Sequence, residues 1–262
     1  MTFAARLDAC VEASGSLLCC GLDPDGFTSA AAAEHRVLEL VEATIDHVCA
    51  FKPNLAFFEQ LGSAGYAILE RLRAHIPRDR ILILDAKRGD MGNTALAYAR
   101  ALFDVLGADC VTVNPLLGSD SVLPFLQRPD CGALLVARSS NPGAVDLLDV
   151  PLESGVPVSA RIVELGLSWD PGGSVGFVVG ATRPEAVAAI RSAAPDAPLL
   201  LPGVGAQGGA LEDSVSAGLD ARGRGAIISV SRGLAAAPEG AARAAQGFRE
   251  RIEEVRAAVA HV

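Results

Sequence analysis

The sequence lacks the features that would place it in a membrane, outside the cell or on a nucleic acid. No uninterrupted apolar run approaches the ~18 residues that a membrane-spanning helix requires. Residues 1–8 contain neither the apolar segment nor the cleavage site of a secretory signal peptide. The net charge of -9 argues against nucleic acids and anionic membranes as partners, although a small anionic substrate needs only a local cluster of donors. We therefore expect a cytoplasmic protein.

The sequence also lacks the spacing of metal-binding or redox motifs. None of its six cysteines forms a C-x-x-C pair, and most lie inside apolar, strand-like runs. We predict that they are reduced and buried, because a free thiol packs as a small hydrophobic group. The four histidines are scattered, and although His47 and Cys49 lie two residues apart, no further ligand joins them. No metal site is predicted.

What the sequence contains is a regular alternation of strand-like and helix-like segments. Its 262 residues are 50% apolar and 20% charged, which fits one large α/β barrel or two small domains. Short apolar, β-branched runs recur at the spacing of βα units. The eight predicted strands are 16–22, 47–52, 81–87, 109–114, 132–137, 174–180, 198–201 and 226–231. We predict a single (β/α)8 TIM barrel over residues 1–262, with a doubly wound sheet as the structural alternative.

Helix signals lie between these strands. An apolar stripe at helical spacing before Gly107 is formed by Tyr98, Ala101, Leu102, Val105 and Leu106. Thr182 and Glu185 have the spacing of a capping box, with proline in the first turn. Residues 239–262 are rich in alanine, arginine and glutamate, which predicts a closing helix with a solvated charged face.

The most informative segment is residues 81–90 (Ile-Leu-Ile-Leu-Asp-Ala-Lys-Arg-Gly-Asp). Its four branched apolar residues predict a buried parallel strand, which presents Asp85 and Lys87 at positions i and i+2 on one face. Asp90 follows on a loop, where Gly89 lets the backbone turn. A buried acid–base–acid cluster is costly unless the charges pair, and proteins tolerate that cost mostly at active sites. A structural ion pair at the strand end is the alternative.

Most of the predicted strands end in polar residues. Apart from those of the third strand, the polar residues at strand ends are Asp23 for the first strand, Lys52 and Asn54 for the second, Asn114 for the fourth, and Ser231-Arg232-Gly233 for the eighth. The carboxyl ends of barrel strands meet at one mouth, and neighbouring strands lie ~4.8 Å apart. We therefore expect Lys52 to reach the Asp85–Lys87 pair.

A phosphate site is predicted after the seventh and eighth strands, where many barrels have one. The seventh strand leads into residues 202–209 (Pro-Gly-Val-Gly-Ala-Gln-Gly-Gly), in which Gly203 and the other glycines let backbone N–H groups face an anion. Gln207 adds a side-chain donor, and Arg232 supplies a charged guanidinium suited to phosphate. A loop built only for tight turns is the alternative, but the arginine at the next strand end favours phosphate.

These motifs, taken in order, resemble a known family. Residues 85–90 (Asp-Ala-Lys-Arg-Gly-Asp), followed by Asn93-Thr94, resemble the Asp-x-Lys-x-x-Asp signature of the orotidine 5'-phosphate decarboxylases, in particular their bacterial branch. The blocks at 51–54, 57–59, 139–143, 202–209 and 231–233 resemble the other motifs of that family in the same order. The resemblance covers most of the chain. Arg138 and Ser139 depart from it, since many relatives have threonine or methionine there.

The resemblance implies decarboxylation of orotidine 5'-monophosphate to uridine 5'-monophosphate, the last step of pyrimidine synthesis, without metal or organic cofactor. It implies that Lys87 protonates C6 of the pyrimidine, while Asp85 lies beside the departing carboxylate. It also implies a homodimer in which Asp90 and Thr94 act in the partner's site. The remaining implied roles are completion of the charge array by Lys52, ribose contacts by Asp23 and Thr94, pyrimidine binding by Ser140 or its neighbour Ser139, and phosphate binding by Gly203, Gln207 and Arg232.

Two other functions remain open on the sequence. A metal-dependent phosphosugar enzyme, of the hexulose-phosphate synthase or ribulose-phosphate epimerase type, would share the acid–base cluster and the late phosphate loop. The lysines beside the carboxylates disfavour a cation there. A non-catalytic sensor of a phosphate ligand would share the phosphate site, but would not need a lysine between two carboxylates.

Overall fold

Eight parallel strands close into a barrel in the computed structural model, which describes residues 1–170, 172–204 and 211–259. Each strand pairs with the next along the chain, and β1 pairs with β8. The strands are β1 (Leu18–Gly21), β2 (Ala50–Lys52), β3 (Ile81–Arg88), β4 (Cys110–Val113), β5 (Gly132–Arg138), β6 (Val175–Val179), β7 (Leu199–Pro202) and β8 (Ala226–Val230). The predicted (β/α)8 barrel is therefore confirmed, and the doubly wound alternative is wrong because the strands follow one another around a closed ring.

Helices connect the strands on the outside of the barrel. They are α1 (Phe3–Ser14), α2 (Ala30–Thr44), α3 (Ala56–Glu59), α4 (Ser63–His75), α5 (Gly92–Arg100), α6 (Ser119–Val122), α7 (Val158–Trp169), α8 (Pro184–Ala193), α9 (Leu211–Gly218), α10 (Arg232–Ala235) and α11 (Ala241–Val259). Two 3₁₀ segments (Leu123–Leu126 and Pro142–Asp146) and one π-helical segment (Ala101–Val105) complete the regular structure described. Among the described residues, no helix is long and apolar enough to cross a membrane.

The strands are buried on both faces, as continuous apolar runs predict for a parallel sheet that is covered by helices. All eight predicted strands are present, and their ends differ by at most a few residues. The largest difference is in β2, which begins at Ala50 rather than at residue 47. The chain still turns after α2 at that point, and the His47 N–H donates to the Thr44 carbonyl (2.9 Å).

The predicted apolar stripe beginning at Tyr98 is wrong in part. Tyr98, Ala101 and Val105 are exposed, and the buried face is formed instead by Ala95, Ala99, Leu102, Phe103 and Leu106. The cause is the π-helical segment after α5, where the Leu106 N–H donates to the Ala101 carbonyl five residues back (3.0 Å). This wider turn breaks the 3.6-residue period on which the prediction depended.

Two helix ends also differ from the sequence prediction. The capping box at Thr182 does not form, because Arg183 is the N-cap of α8 and no side chain caps the helix. Glu185 instead accepts a hydrogen bond from Arg183 Nη1 (3.3 Å). The predicted closing helix is present as α11, which begins at Ala241 rather than at residue 239.

Buried charges at the amino end of the barrel are bonded to protein groups. The carboxylate of Asp109, which is 2% exposed, accepts from Arg6 (2.6 Å), Arg73 (2.8 Å) and the Leu82 N–H (2.8 Å). The buried guanidinium of Arg191 donates to the carbonyls of Ala194, Pro195, Ala197, Gly218 and Gly225. These contacts join helices to strand starts, so this end is built for stability rather than for ligands.

The cysteines are as predicted. All six are free thiols and all six are buried. Burial raises the pKa of Cys10 and Cys131 to about 11 and that of Cys20 to about 12. They therefore stay protonated and pack as small hydrophobic side chains.

Candidate active site

A carboxylate held between two ammonium groups lies at the carboxyl end of the barrel. Lys52 is the last residue of β2, and its Nζ donates to Asp85 Oδ2 (3.1 Å). Lys87 Nζ donates to the other oxygen, Asp85 Oδ1 (2.6 Å). Thr112, on β4, donates its hydroxyl to the same Oδ1 (2.8 Å) and accepts the Lys87 N–H (3.0 Å). Three adjacent strands thus fix one cluster of charges.

The electrostatics of this cluster favour its charged state. Burial alone would raise the pKa of Asp85, but the charges of Lys52 and Lys87, with the hydrogen bonds from Lys87 and Thr112, hold it well below its usual value. Burial alone would lower the pKa of Lys52, but Asp85 and Asp23 outweigh it and raise the pKa above its usual value. Both shifts have the sign expected for a salt bridge that is ionised at neutral pH.

The two lysines differ in exposure. Lys52 is 5% exposed, whereas half of the Lys87 side chain (51%) faces solvent. They are also the only two lysines in the 262 residues. Every ammonium side chain that this chain possesses therefore bonds to one carboxylate. An ordinary solvated surface would be expected to carry lysines elsewhere as well.

A cavity of about 350 Å³ opens beside Lys52. Of the residues to which the sequence analysis gives a catalytic or substrate-binding role, five line it, namely Asp23, Lys52, Ser140, Gly203 and Arg232. Lys87 lines a neighbouring cavity of about 240 Å³ with Asn114, Ser139 and Asn141. The carboxylate of Asp85 bonds to both of the lysines that line these cavities. The strand ends therefore converge as expected for a barrel mouth.

At the predicted phosphate end of the cavity, one guanidinium is exposed and has no acidic partner among the described residues. Arg232 begins α10 directly after β8, its side chain is exposed, and among the described residues no acidic side chain pairs with it. Gly203 follows β7 with a φ of 98°, a conformation that favours glycine. Gln207 lies outside the described residues. The backbone of β1 also packs closely against Ser231 here, since a Cβ on Gly21 would lie 1.8 Å from Ser231 Oγ.

The two serines in the loop after β5 have different surroundings. Ser140 lines the larger cavity, whereas the Ser139 hydroxyl donates to Asn141 Oδ1 (2.6 Å). Ser140 packs against Gly180, where a Cβ would lie 2.6 Å from the Ser140 Cα. Arg138 clamps the loop through a bidentate pair with Asp149 (3.1 and 3.0 Å) and a bond to the Ser139 carbonyl (2.9 Å). Arg138, which differs from the residue expected at this position, therefore has a structural role in the loop.

Asp90 and Thr94 are not brought to this cluster within the chain. The Asp90 carboxylate accepts from the Met91 N–H (2.8 Å), and no bond joins it to Lys52 or Lys87 among the described residues. Thr94 is exposed in the first turn of α5. Exposed apolar side chains lie nearby at Met91, Tyr98 and Leu123, on and beside helices that pack together.

Sequence reasoning missed Thr112, which holds both the carboxylate of Asp85 and the backbone of Lys87. It lies two residues before Asn114 in an otherwise apolar strand, so its alternation with that residue was the available signal. The contacts of Asn54 were not predicted either. Its N–H donates to Asp23 Oδ1 (3.2 Å), and it pairs with Asp85 as an extra bridge between β2 and β3.

Known proteins are similar to this chain in sequence and in fold. The sequence profile of the orotidine 5'-phosphate decarboxylase / HUMPS family matches residues 16–247. The chain belongs to this family. Proteins named orotidine 5'-phosphate decarboxylase from Roseiflexus castenholzii and Thermomicrobium roseum are 46% and 43% identical to it, over 92% and 99% of this chain and 91% and 98% of theirs. The structure of Leishmania donovani OMP decarboxylase superposes with a TM-score of 0.90 at 40% identity, covering 98% of this chain and 99% of that one.

Proposed function

We propose that this chain decarboxylates orotidine 5'-monophosphate to uridine 5'-monophosphate, and so acts in pyrimidine synthesis. The observation that carries the proposal is the Lys52–Asp85–Lys87 cluster at the mouth of a barrel of this family. The family description covers two enzyme types, but the similar curated proteins at 40% to 46% identity are named orotidine 5'-phosphate decarboxylase. Decarboxylation is therefore the function that the relatives and the site support together.

The chemistry requires preorganised charge. Loss of CO₂ from C6 leaves a carbanion in an sp² orbital with no conjugated sink, so the barrier must fall by roughly 20 kcal/mol. Positioning contributes about 7–11 kcal/mol at best. The remainder requires charge that is fixed in advance, and the Lys87 ammonium stabilises the carbanion and then donates the proton to C6. Asp85 repels the substrate carboxylate, which becomes neutral CO₂ as it leaves.

The rest of the substrate fits the lining of the larger cavity. Lys52 can donate further hydrogen bonds to a ligand in this cavity, because Asp85 is the one hydrogen-bond partner of its ammonium group among the described side chains. We assign ribose contacts to Asp23, pyrimidine binding to Ser140, and phosphate binding to Arg232 with the backbone at Gly203 and the side chain of Gln207. Binding energy from the remote phosphate then assists the chemical step at C6.

We further propose that the protein is a homodimer in which Asp90 and Thr94 enter the partner's site. Two observations support this proposal. The Asp90 carboxylate bonds only to the neighbouring Met91 N–H among the described residues, and Thr94 is exposed. The apolar side chains of Met91, Tyr98 and Leu123 are exposed beside them, a surface that a second subunit would bury. A cytoplasmic location follows from the proposed pathway.

The two alternative functions are less well supported. In a metal-dependent phosphosugar enzyme, Asp85 would need an oxygen for the cation, but both of its oxygens accept from ammonium groups. A phosphate sensor would need Arg232 and the glycine loop, but not the strained and paired Lys87. The Lys87 geometry thus favours catalysis.

The direct test is to follow the absorbance of orotidine 5'-monophosphate with purified protein in excess EDTA. We expect full turnover and uridine 5'-monophosphate as the product. Loss of activity in EDTA that returns with a divalent metal would indicate the phosphosugar type. Tight binding of the nucleotide without any turnover would indicate a sensor.

The dimer is tested by mixing two inactive variants, Lys87→Ala and Asp90→Asn. If Asp90 acts across the interface, each mixed dimer contains one intact site, and random exchange restores about a quarter of wild-type activity. No recovery after subunits have been shown to exchange would mean that Asp90 acts within its own chain. Sedimentation of the wild-type protein as a monomer would also contradict the proposal.

A further inference from the structure

Lys87 has an unusual backbone. Its φ is 45°, and no other residue except glycine has a positive φ in the described part of the chain. The pairing of β3 with β4 also shifts register between Leu84 and Arg88, so the strand is irregular where it carries Lys87. A long side chain rarely adopts this left-handed conformation, and such strain persists only when the surroundings impose it. Some contact must therefore hold Lys87 in place.

On the amino-terminal side of Lys87, the backbone is held by hydrogen bonds that belong to the charge cluster. Its N–H donates to Thr112, and Asp85 is fixed by bonds of its own N–H to the Pro53 carbonyl (3.0 Å) and of its carbonyl to the Leu55 N–H (3.2 Å). These bonds fix the strand up to position 87. The direction in which the Lys87 side chain leaves the strand depends equally on the residue that follows.

The residue that follows, Arg88, is anchored on several sides. Its carbonyl accepts from the Asn114 N–H (2.7 Å), and its Nη1 donates to the Ala86 carbonyl (3.3 Å). Its Nη2 forms an ion pair with Glu59, and its guanidinium lies 5.3 Å from the centre of the Tyr98 ring. Only a fifth (20%) of the Arg88 side chain is exposed.

Glu59, the partner of Arg88, lies on the helix that follows the strand of Lys52. It ends α3, the short helix that begins four residues after Lys52, the last residue of β2. Its Oε1 also accepts from the Tyr66 hydroxyl (3.1 Å) on α4, and α4 packs so closely on α3 that a Cβ on Gly65 would lie 1.8 Å from the Phe58 carbonyl oxygen. The Arg88–Glu59 pair therefore ties the end of β3 to the element that follows Lys52.

We propose that Arg88 and Glu59 are positioning residues, which hold Lys87 in its left-handed conformation and aim its ammonium at the reacting carbon. The pair does not touch the substrate; it acts through Lys87. This inference rests on the proposed function, because it concerns the aim of the proton donor. A misplacement of about 1 Å at such a group can cost about 100-fold in rate.

The test compares Arg88→Ala, Glu59→Gln and the double variant in steady-state decarboxylation. We expect Arg88→Ala to lower kcat by roughly 30- to 100-fold while KM changes less than about threefold, since substrate contacts are intact. Glu59→Gln should lower kcat less, and the double variant should be no worse than Arg88→Ala, because the two side chains act as a unit. Added guanidinium ion should restore part of the lost kcat in Arg88→Ala.

The matched control is an arginine–glutamate pair outside the candidate site, Arg71 on α4 with Glu34 on α2, which lies on the surface (2.5 and 2.8 Å). Arg71→Ala and Glu34→Gln should leave kcat unchanged. If Arg88→Ala does not fold, Glu59→Gln and Arg88→Lys take its place, and both should lower kcat without raising KM.

A kcat within threefold of wild type in the Arg88 and Glu59 variants would overturn the inference, as would an equal loss in the control pair. These outcomes are distinct from failure of the proposed function, in which the wild-type protein itself would not turn over orotidine 5'-monophosphate.

Discussion

The two ends of the barrel use buried charge differently. At the amino end, the carboxylate of Asp109 is surrounded by Arg6, Arg73 and a backbone N–H, all of them protein groups. At the carboxyl end, the carboxylate of Asp85 is equally well bonded, but its partners Lys52 and Lys87 each line a cavity. Both clusters are ion pairs at strand ends; only one opens onto space for a ligand.

The difference shows why an ion pair alone does not identify an active site. A buried pair stabilises little beyond the cost of its desolvation, so geometry around it decides its role. Lys87 combines a strained backbone, a half-exposed ammonium and a cavity, whereas Arg73 and Arg6 donate to an enclosed carboxylate. An aspartate-to-asparagine substitution should therefore lower stability at both ends of the barrel, but should lower turnover only at the carboxyl end.

The largest effect is expected at the carboxyl end. Asp85→Asn should lower kcat by at least about 10³-fold, because it removes the charge that holds both lysines and that, in the proposed mechanism, faces the substrate carboxylate. Some stability should also be lost, since Lys52 is left buried without a counter-charge. Stopped-flow or initial-rate absorbance at saturating nucleotide measures the turnover. A kcat within tenfold of wild type would remove Asp85 from the chemistry.

The matched change at the amino end should affect stability alone. Asp109→Asn should lower the free energy of unfolding by about 3–5 kcal/mol, because two arginines lose a buried partner. Turnover per folded molecule should stay within about twofold of wild type. Urea unfolding and active-site titration of the same sample check both quantities. If kcat per folded molecule fell as it does in Asp85→Asn, the two ends would not be functionally distinct.

A smaller effect is expected at the phosphate end. Arg232→Ala should raise KM by about 10- to 100-fold, since a charge-assisted hydrogen bond contributes about 1.5–3 kcal/mol. Arg183→Ala is the control, because Arg183 also lies at the carboxyl end but pairs with Glu185 on the surface. Its KM should not change. Equal effects of the two substitutions would point to general attraction of the anionic substrate rather than to a phosphate site.

The pH dependence of stability should be the smallest effect. The pKa of Asp85 is lowered on folding, so its contribution is present above its unfolded pKa of about 3.9 and is lost as the pH falls through the folded value. The pKa of Lys52 is raised, so its contribution is present below about 10.4 and is lost only as the pH rises through the folded value. Their contribution is constant between these limits.

Unfolding in urea at several pH values measures this contribution. The difference in unfolding free energy between wild type and Asp85→Asn should be flat from about pH 5 to pH 9 and should shrink below about pH 4. A difference that shrinks on raising the pH from 5 to 8 would contradict the assigned charge states.

Much of the fold was predictable from the sequence for simple reasons. Parallel strands buried on both faces read as continuous apolar runs, and so β3, β6 and β8 could be found from their residues alone. The π-helical segment at Ala101–Val105 could not, because it follows the same apolar composition with a different period. The N-cap of α8 was also missed, since Thr182 has the right chemistry but the helix starts beyond it.

The candidate site was predictable where its residues lie at the carboxyl end of a strand. Lys52, Asp85 and Lys87 meet because neighbouring strand ends meet, which depends only on strand order. The contacts of Thr112, Arg138 and Glu59 depend on side-chain length and on the path of loops. No sequence pattern fixes those. The left-handed backbone of Lys87 is likewise a property of the folded molecule, because its neighbours impose it.

The central claim is that the Lys87 ammonium is the proton donor of a decarboxylase. The most direct measurement is turnover of orotidine 5'-monophosphate by Lys87→Ala, and by Lys87→Gly, which accepts the left-handed backbone, with binding of uridine 5'-monophosphate measured by calorimetry on the same samples. The account predicts that kcat falls by at least about 10⁴-fold in both variants while nucleotide affinity changes less than about tenfold. Either variant retaining a tenth of wild-type kcat would contradict it.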